Sequence, residues 1–244
     1  MSSFERTERL LGTEAMKLLR NSRVCIFGIG GVGGYVAEAL ARSGVGAIDI
    51  VDRDVVSESN INRQIIALNS TVGKPKTEVM KQRILDINPD CKVNDYCVFY
   101  LPENKKDFDF SSYDYVVDAV DTVTAKLTII EEAKRCNTPV ISSMGTGNKL
   151  NPKMFQIADI SKTKVCPLAK VMRRELKKRN IEHVKVLYSE EEVKKINEGE
   201  VCEGQDRERP VVASVAFVPS VAGLMIAGEV IKDLVKKESN DGKW

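Results

Sequence analysis

A glycine-rich segment near the N-terminus constrains the fold more than any other feature of the chain. Residues 24–27 are apolar and typical of a buried strand, residues 28–33 read GIGGVG, and residues 35–42 have helical periodicity. Glycines let the backbone turn tightly and approach a phosphate, and the amides at a helix N-terminus favour an anion. Asp52 ends the next predicted strand, at residues 47–51, where a carboxylate can bind ribose hydroxyls. The segment predicts a nucleotide site that includes Gly28, Gly30, Gly31 and Gly33.

The alternation of strands and helices along the chain predicts an α/β protein with a doubly wound, Rossmann-like sheet. Besides the segments above, we expect helices over residues 13–19, 74–87 and 127–135, and strands over residues 92–99, 115–118 and 140–143. A long helix from residue 219 carries small residues that allow close packing against the sheet or against a second chain. The strand rhythm changes beyond residue 148, so the C-terminal part is expected to be an added strand and helix region.

Composition and cysteine usage narrow the class of protein. The 37 Lys and Arg residues nearly balance the 35 Asp and Glu residues, so no field over the whole molecule attracts nucleic acid or a membrane. The six cysteines form no C-x-x-C pair, and the N-terminus lacks the apolar core of a signal peptide. Residues 221–228, the longest apolar stretch near the end, are too short to cross a bilayer. We therefore expect a cytoplasmic protein with reduced thiols and no membrane partner.

A polar loop and three charged residues indicate what kind of nucleotide binds. Residues 59–64 read SNINRQ, and Lys76 follows Arg63 by thirteen residues. One Arg and one Lys can converge on a polyphosphate, whereas hydride transfer has little use for two cations. Asp121 lies at the ligand-binding edge of the predicted sheet, where it can hold Mg²⁺. The predicted nucleotide-binding residues besides the glycines are Asp52, Ser59, Asn60, Arg63, Gln64, Lys76, Asp121 and Thr122.

These motifs, with residues 73–76 (GKPK) and 118–121 (DAVD), resemble the adenylation fold of the ubiquitin-activating superfamily. The resemblance implies that Asp52 holds the ribose of ATP. It further implies that Arg63 and Lys76 contact the triphosphate, and that Asp121 supports Mg²⁺ and the transfer. On this basis residues 1–160 are expected to form an ATP-binding adenylation domain. Residues 161–244 are expected to bind substrate and complete the sheet within the same compact unit.

The superfamily also uses an N-terminal arginine that reaches into the site of a neighbouring subunit. Arg9, in the segment ERLLG, matches this residue best, and Arg6 is the weaker candidate. The match implies a homodimer. The catalytic residues that the resemblance implies are Arg9, Arg63, Lys76 and Asp121.

Four segments resemble a narrower family, the tRNA threonylcarbamoyladenosine dehydratases; they are residues 9–12, 26–33, 60–65 and 162–168. The family implies that the threonine carboxylate of the modified adenosine beside the tRNA anticodon is adenylated. A nitrogen of the same modification then displaces AMP and closes a cyclic hydantoin. An internal nucleophile needs no enzyme thiol. Cys166 and Cys202 stay open as nucleophiles, although residues 211–214 lack a cysteine that some relatives carry there.

A basic stretch fits a tRNA substrate. Residues 161–185 hold nine Lys or Arg residues against two Glu, whereas residues 189–208 hold eight acidic residues against three basic ones. Phosphate backbones are bound chiefly by such clustered charge, and a solvated helix face is the alternative. The acidic segment is either a flap over the site or a surface loop, and His183 is expected to be structural. The predicted tRNA-binding residues are Lys170, Arg173, Arg174, Lys177, Lys178 and Arg179.

Two other functions stay open at this point. An enzyme that activates a ubiquitin-like sulfur carrier would share the adenylation motifs and would bring a sulfur-carrier or cysteine-desulfurase-type partner. That branch usually carries two C-x-x-C pairs, so for this chain we expect no structural zinc. A dinucleotide oxidoreductase or regulatory Rossmann module would leave Arg63 and Lys76 without a task. The expected cofactors are ATP and Mg²⁺, and a monovalent cation is left open.

Overall fold

A computed structural model describes residues 3–194 and 212–236 of the chain. The strands in these ranges are β1 (Arg23–Phe27), β2 (Ala47–Val51), β3 (Lys92–Tyr96), β4 (Tyr115–Asp118), β5 (Val140–Ser143), β6 (Phe155–Asp159) and β7 (Lys185–Ser189). The α-helices are α1 (Glu5–Leu11), α2 (Thr13–Asn21), α3 (Gly33–Arg42), α4 (Lys76–Ile87), α5 (Val123–Arg135), α6 (Pro167–Lys178) and α7 (Phe217–Lys236). Short 3-10 helices cover Glu58–Asn60, Pro102–Asp107, Phe110–Ser112, Pro152–Met154 and Ile160–Lys162.

The described strands form one sheet in the order β3-β2-β1-β4-β5-β7-β6. The pairs from β3 to β7 are parallel, and only β6 runs antiparallel, along the outer side of β7. The order reverses between β1 and β4, which is the point where sheets of this kind bind ligands. The predicted doubly wound α/β sheet with a C-terminal strand and helix region is therefore confirmed.

The central strands are buried on both faces, as parallel strands between helices must be. Because side chains alternate along a strand, Val24 and Ile26 face one core, which includes residues of α2, α3, α4 and α7. Cys25 and Phe27 face the opposite core, which includes Phe110 and residues of α5. Burial of both sets positions the carboxyl ends of β1 and β4 rigidly beside each other.

Close packing between α3 and α7 depends on a glycine. A Cβ atom on Gly223 would overlap the carbonyl oxygen of Val32, at the start of α3. The same approach brings Pro219 against Gly31, where an added Cβ would lie 3.2 Å from the proline Cβ. The final helix, predicted from residue 219 and found from Phe217, thereby supports the glycine-rich turn.

The structure differs from the sequence predictions at the ends of several elements. Helix α1 was not predicted, because none of its residues is buried and its sequence has no apolar face. Helix α5 begins at Val123, four residues before the predicted start at residue 127. The sequence pattern does not indicate the earlier start, because the first two residues of the helix are β-branched and weakly helix-forming. Strand β3 ends at Tyr96 rather than at the predicted residue 99, so Cys97 lies beyond the strand and is exposed, whereas Cys91 is buried.

No helix in residues 3–194 or 212–236 has both the length and the apolar character that crossing a bilayer requires.

Candidate active site

A cavity of about 590 Å³ opens at the carboxyl edge of the sheet, beside the point where the strand order reverses. The turn after β1, the loop after β2, the loop before α4 and the loop after β4 all contribute to it. The predicted residues that line it are Gly28, Gly30, Gly31, Asp52, Asn60, Arg63, Gln64, Lys76, Asp121 and Thr122. The structure thus brings together residues that are up to 94 positions apart in the chain.

The glycine-rich turn has almost no spare room. Gly28 has a φ of +89°, and a Cβ atom there would lie 2.7 Å from the carbonyl oxygen of Ala119. Gly33 does not line the cavity, but a Cβ atom on it would overlap the carbonyl oxygen of Gly28. These two glycines let the turn close tightly against the β4 loop and leave the N-terminus of α3 at the cavity. A helix N-terminus favours an anion such as a phosphate.

Asp52 holds the glycine-rich turn in place. One carboxylate oxygen accepts a hydrogen bond of 2.7 Å from the Ile29 amide, and the other accepts one of 2.8 Å from the Asp54 amide. Each carboxylate oxygen has a second lone pair, so both can still accept from a ribose hydroxyl. The side chain therefore fixes the turn and remains able to bind a sugar.

The two predicted phosphate cations are held by different partners. The guanidinium of Arg63 donates to the Ser59 carbonyl oxygen at 2.9 Å and to Asn62 Oδ1 at 2.8 Å. Ser59 itself does not line the cavity, and its backbone carbonyl orients Arg63 instead. Lys76 is only 5% exposed, and its Nζ lies 2.8 Å from Asp54 Oδ2. Both cations border the same cavity from the same side of the switch point.

Two polar side chains in the wall of the cavity have an unused hydrogen-bonding group. Gln64 is 7% exposed, and its Oε1 has no partner in the part of the chain that the structure describes. The hydroxyl of Tyr100 is likewise buried without a partner among the described residues. Burial raises the pKa of Tyr100 well above its usual range, so the phenol stays a donor. An unpaired buried polar group costs about 1–3 kcal/mol. Both groups are therefore suited to a bound ligand.

Asp121 presents an exposed carboxylate to the cavity. It accepts one hydrogen bond of 3.2 Å from the Thr122 hydroxyl. No group of three or more His, Cys, Asp or Glu side chains that could hold a metal occurs within residues 3–194 and 212–236. Mg²⁺ binds nucleotide phosphates with only one or two protein carboxylates and keeps several waters. A single carboxylate next to a polyphosphate site therefore fits Mg²⁺ bound together with ATP.

Several segments that line the cavity carry no motif that predicts them from the sequence. Residues 98–100 follow β3, and the guanidinium of Arg53 stacks 4.2 Å from the ring centroid of Phe99. Residues 143–147 begin at the last residue of β5 and continue into the loop after it, and Val212 and Ser214 come from the segment before α7. The strand order would have identified these segments as part of the site, because the segments after all parallel strands must meet at one edge of the sheet.

Arg9 lies outside the cavity of its own chain. Its side chain is exposed and pairs with Glu5 one helical turn earlier in α1. Within its own chain Arg9 is therefore a surface residue that takes no part in the cavity.

The predicted tRNA-binding residues all lie on α6 or directly after it. Arg173 is half-buried and donates to the Thr163 carbonyl oxygen at 2.8 Å, whereas the other five are exposed. Glu175 pairs with Lys178 at 2.9 Å and with Arg174 and Arg179 at 3.2 Å each. Lys170 and Lys177 have no side-chain partner among the described residues. Leu168, in the first turn of α6, lines the cavity, so this basic surface begins at its rim.

The remaining candidates that the structure describes do not line the cavity. Cys166 is buried at the N-terminus of α6, and Cys202 lies outside the described residues. His183 is exposed with a φ of +56°, 3.6 Å from Asp159. The acidic segment predicted at residues 189–208 is described only as far as residue 194.

The sequence profile of the ThiF family matches residues 4–243 of the chain. The chain belongs to the ThiF family. This ThiF-family chain is 47% identical over 243 residues to the tRNA threonylcarbamoyladenosine dehydratase of Bacillus subtilis, covering 97% of this chain and 96% of the relative. That identity places it among the tRNA threonylcarbamoyladenosine dehydratases, as the motifs predicted.

Solved structures agree with this assignment. The chain is similar to the crystal structure of E. coli tRNA N6-threonylcarbamoyladenosine dehydratase in complex with ATP, with a TM-score of 0.87 and 33% identity. The similarity covers 98% of this chain and 96% of the E. coli chain. The E. coli enzyme in complex with AMP matches with a TM-score of 0.86.

Proposed function

We propose that this ThiF-family chain catalyses the ATP-dependent dehydration of threonylcarbamoyladenosine in tRNA, which gives the cyclic hydantoin beside the anticodon. The observation that carries the proposal is the cavity in which the glycine-rich turn, Arg63, Lys76 and Asp121 meet. The E. coli relative that shares this fold was crystallised with ATP and with AMP, which are the substrate of the proposed adenylation and the leaving group of the proposed ring closure.

The first step would be attack of a threonine carboxylate oxygen on the α-phosphorus of ATP. A bond between carboxylate oxygen and phosphorus forms, the bond to the bridging oxygen breaks, and pyrophosphate leaves with the electron pair. Negative charge accumulates on the phosphate oxygens during this step, so fixed cations there lower the barrier. Arg63 and Lys76 supply that charge from side chains whose positions are already set by Ser59 and Asp54.

Asp121 would hold Mg²⁺ together with the phosphates. When bound, Mg²⁺ supplies charge neutralisation at the phosphate oxygens. The hydroxyl of Thr122 orients the Asp121 carboxylate, and no other described carboxylate is needed for this arrangement.

The second step would be ring closure within the substrate. A carbamoyl nitrogen of the modification attacks the acyl carbonyl, AMP leaves with the carboxylate oxygen, and the nitrogen loses a proton. Nucleophile and electrophile belong to one molecule, so the effective molarity is high and an enzyme thiol is not required. The burial of Cys166 away from the cavity supports this direct route.

The tRNA would lie across α6. Phosphates are bound by clustered cations, and the exposed cations of α6 begin at the rim of the cavity. This arrangement allows the anticodon loop to enter the cavity while the neighbouring phosphates contact the helix. We place the reaction in the cytoplasm, where tRNA is the available substrate.

We also propose that two chains pair so that Arg9 of one reaches the cavity of the other. The test mixes an Arg9→Ala variant with an Asp121→Ala variant, each inactive alone. A mixed dimer restores one intact site, so activity should return to roughly a quarter of the wild-type value after subunit exchange. No recovery, or a monomer in sedimentation analysis, contradicts the paired site.

The proposed activity is tested by mass analysis of tRNA nucleosides after incubation with ATP and enzyme. Wild type should convert threonylcarbamoyladenosine to a product lighter by one water, Asp121→Ala should not, and Lys74→Ala, which changes an exposed lysine, should behave as wild type. Pyrophosphate exchange that responds to a small protein with a Gly-Gly tail, and not to tRNA, would indicate a sulfur-carrier enzyme. Tight NADH binding without ATP binding would indicate a dinucleotide module.

A further inference from the structure

A fully buried ion pair lies directly beneath the cavity and has no part in the chemistry described above. Lys126, in the first turns of α5, and Asp118, the last residue of β4, are both 0% exposed. The lysine Nζ lies 3.1 Å from each carboxylate oxygen of Asp118 and donates to the Ser143 carbonyl oxygen at 2.7 Å. An ammonium group has three donors. All three are therefore used.

The same pair connects two loops that line the cavity. On one side, Asp118 Oδ1 accepts a hydrogen bond of 3.2 Å from the amide of Val120, next to Asp121. On the other side, Asp118 Oδ2 accepts from the hydroxyl of Ser142, and Lys126 binds Ser143. Residues 119–122 and residues 143–147 both line the cavity, and this network is a direct polar connection between their bases.

Stability alone does not account for a charged pair at this place. A buried ion pair loses so much hydration that apolar residues of similar volume are often as stable or more stable. Lys126 lies among the buried residues of α5, where Leu127, Ile129 and Ile130 pack into the cores. A further apolar residue would suit that environment. What an apolar residue cannot do is hold two backbone segments and a carboxylate at fixed distances.

We infer that Lys126 is a positioning residue, which together with Asp118 sets the separation between the loop carrying Asp121 and the loop of residues 143–147. This inference rests on the proposed function, because Asp121 is the residue whose placement matters for transfer. Within the described residues Lys126 makes no hydrogen bond or ion pair with the glycine-rich turn, Asp52, Arg63 or Lys76, so ground-state nucleotide binding depends little on it.

The test replaces both charges at once, as Lys126→Met with Asp118→Asn, so that no uncompensated charge stays buried. We expect kcat for tRNA-dependent pyrophosphate exchange to fall at least about tenfold. The Kd for AMP should stay within about threefold of wild type, since Asp52 and Arg63 keep their own partners and only the loop of Asp121 and Thr122 loosens. Hydrogen–deuterium exchange should rise in residues 119–122 and in residues 143–147 together.

The matched control is the pair Lys105→Met with Glu132→Gln. Glu132 also lies on α5 and is 5% exposed, and its carboxylate pairs with the half-exposed Lys105 at 2.8 Å and with Arg135 at 2.7 Å without touching either loop. This variant should leave kcat and the exchange of both loops unchanged. Comparison of the two double variants separates the loss of an ion pair on α5 from the loss of the connection between the loops.

A third variant keeps the inference testable if the double variant of Lys126 and Asp118 does not fold. Ser142→Ala removes one link to Asp118 without altering charge, and it should lower kcat by about threefold with the same exchange pattern. The inference is overturned if the first double variant keeps wild-type kcat, or if exchange rises in only one loop. It is also overturned if that double variant does not fold while Ser142→Ala is unchanged. If the wild-type enzyme catalyses no ATP–pyrophosphate exchange with any tRNA, the proposed function fails. Hydrogen–deuterium exchange then still tests whether Lys126 and Asp118 connect the two loops.

Discussion

The nucleotide cavity and the basic surface of α6 both depend on cations, but they hold them in opposite ways. In the cavity the two predicted phosphate cations are held by different groups, with Lys76 bound to Asp54 and Arg63 bound to its own loop. On α6, three cations share Glu175, and two others have no partner among the described residues. The first arrangement fixes positions, and the second only concentrates charge.

This difference matches what each region is proposed to bind. Adenylation requires charge at one phosphorus atom, so a small displacement costs much of the rate. A phosphate backbone offers many equivalent oxygens, and its binding free energy is roughly a sum over cations. We therefore expect large effects from single changes around the cavity and small, similar effects along α6.

The largest expected effect comes from Gly33→Ala. The new methyl group would overlap the Gly28 carbonyl oxygen, so the turn must move, at a cost of about 3 kcal/mol in the free energy of unfolding and with loss of measurable activity. Gly73→Ala is the control, because Gly73 has a φ of +86° but open space around it. That variant should cost only about 1 kcal/mol and keep its activity. Chemical denaturation and the nucleoside assay measure both, and equal effects would contradict a tightly packed turn.

Lys76→Ala should lower kcat for pyrophosphate exchange by about 100-fold, since it removes one fixed charge from the phosphate site. Lys74→Ala, two residues earlier and exposed, should change kcat by less than about twofold. A similar loss in both variants would mean that the cavity, like α6, uses only its overall charge.

Lys177→Ala should weaken tRNA binding by about three- to fivefold and lower the salt dependence of log K by about 1, without changing the KM for ATP. Lys178→Ala should have a smaller effect, because Lys178 is already paired with Glu175. Filter binding at several salt concentrations distinguishes the two variants. A large loss from either change alone would show that α6 recognises a single phosphate.

The smallest expected effect comes from Glu175→Gln. Hydrogen bonds from Lys178 and Arg179 and their positive charges lower the pKa of Glu175 to about 2. Removing this carboxylate frees Arg174 and Lys178, whereas Arg179 keeps its ion pair with Glu131 at 2.7 Å, so tRNA binding should tighten by about twofold. Unchanged or weaker binding would contradict a surface that acts through summed charge.

The lowered pKa of Glu175 also predicts that the stability of the fold depends on pH. Because the folded pKa lies below the ordinary value, the ion pairs stabilise the fold above about pH 4.5, and this contribution is lost as the pH falls towards 2. The difference in Tm between wild type and Glu175→Gln should therefore be small at neutral pH and disappear at the acid end of that range. A difference that grows on acidification would contradict the pairing.

Short-range patterns made the cavity predictable from the sequence. The glycines of residues 28–33, Asp52 after β2 and Asp121 after β4 each follow a buried strand, and parallel strands end at one edge. The placement of β7 between β5 and β6 was beyond such patterns, because it depends on pairing between segments far apart in sequence.

Two residues of the site illustrate the same limit. Asp54 pairs with Lys76 across 22 residues, and nothing in its local sequence distinguishes it from a surface carboxylate. Lys126 has the sequence context of an ordinary helical lysine, and only the sheet brings Ser143 within reach of it. Local periodicity predicts that such residues exist in a helix or loop, whereas their partners are set by tertiary packing.

The contact between Gly223 and Val32 has a consequence for synthesis of the chain. The residues proposed to bind and activate ATP come from the first half of the sequence, but α7 forms part of the wall against which their turn rests. A nascent chain on the ribosome that still lacks α7 therefore has an incomplete nucleotide cavity. Translation must pass the final helix before this protein can consume ATP.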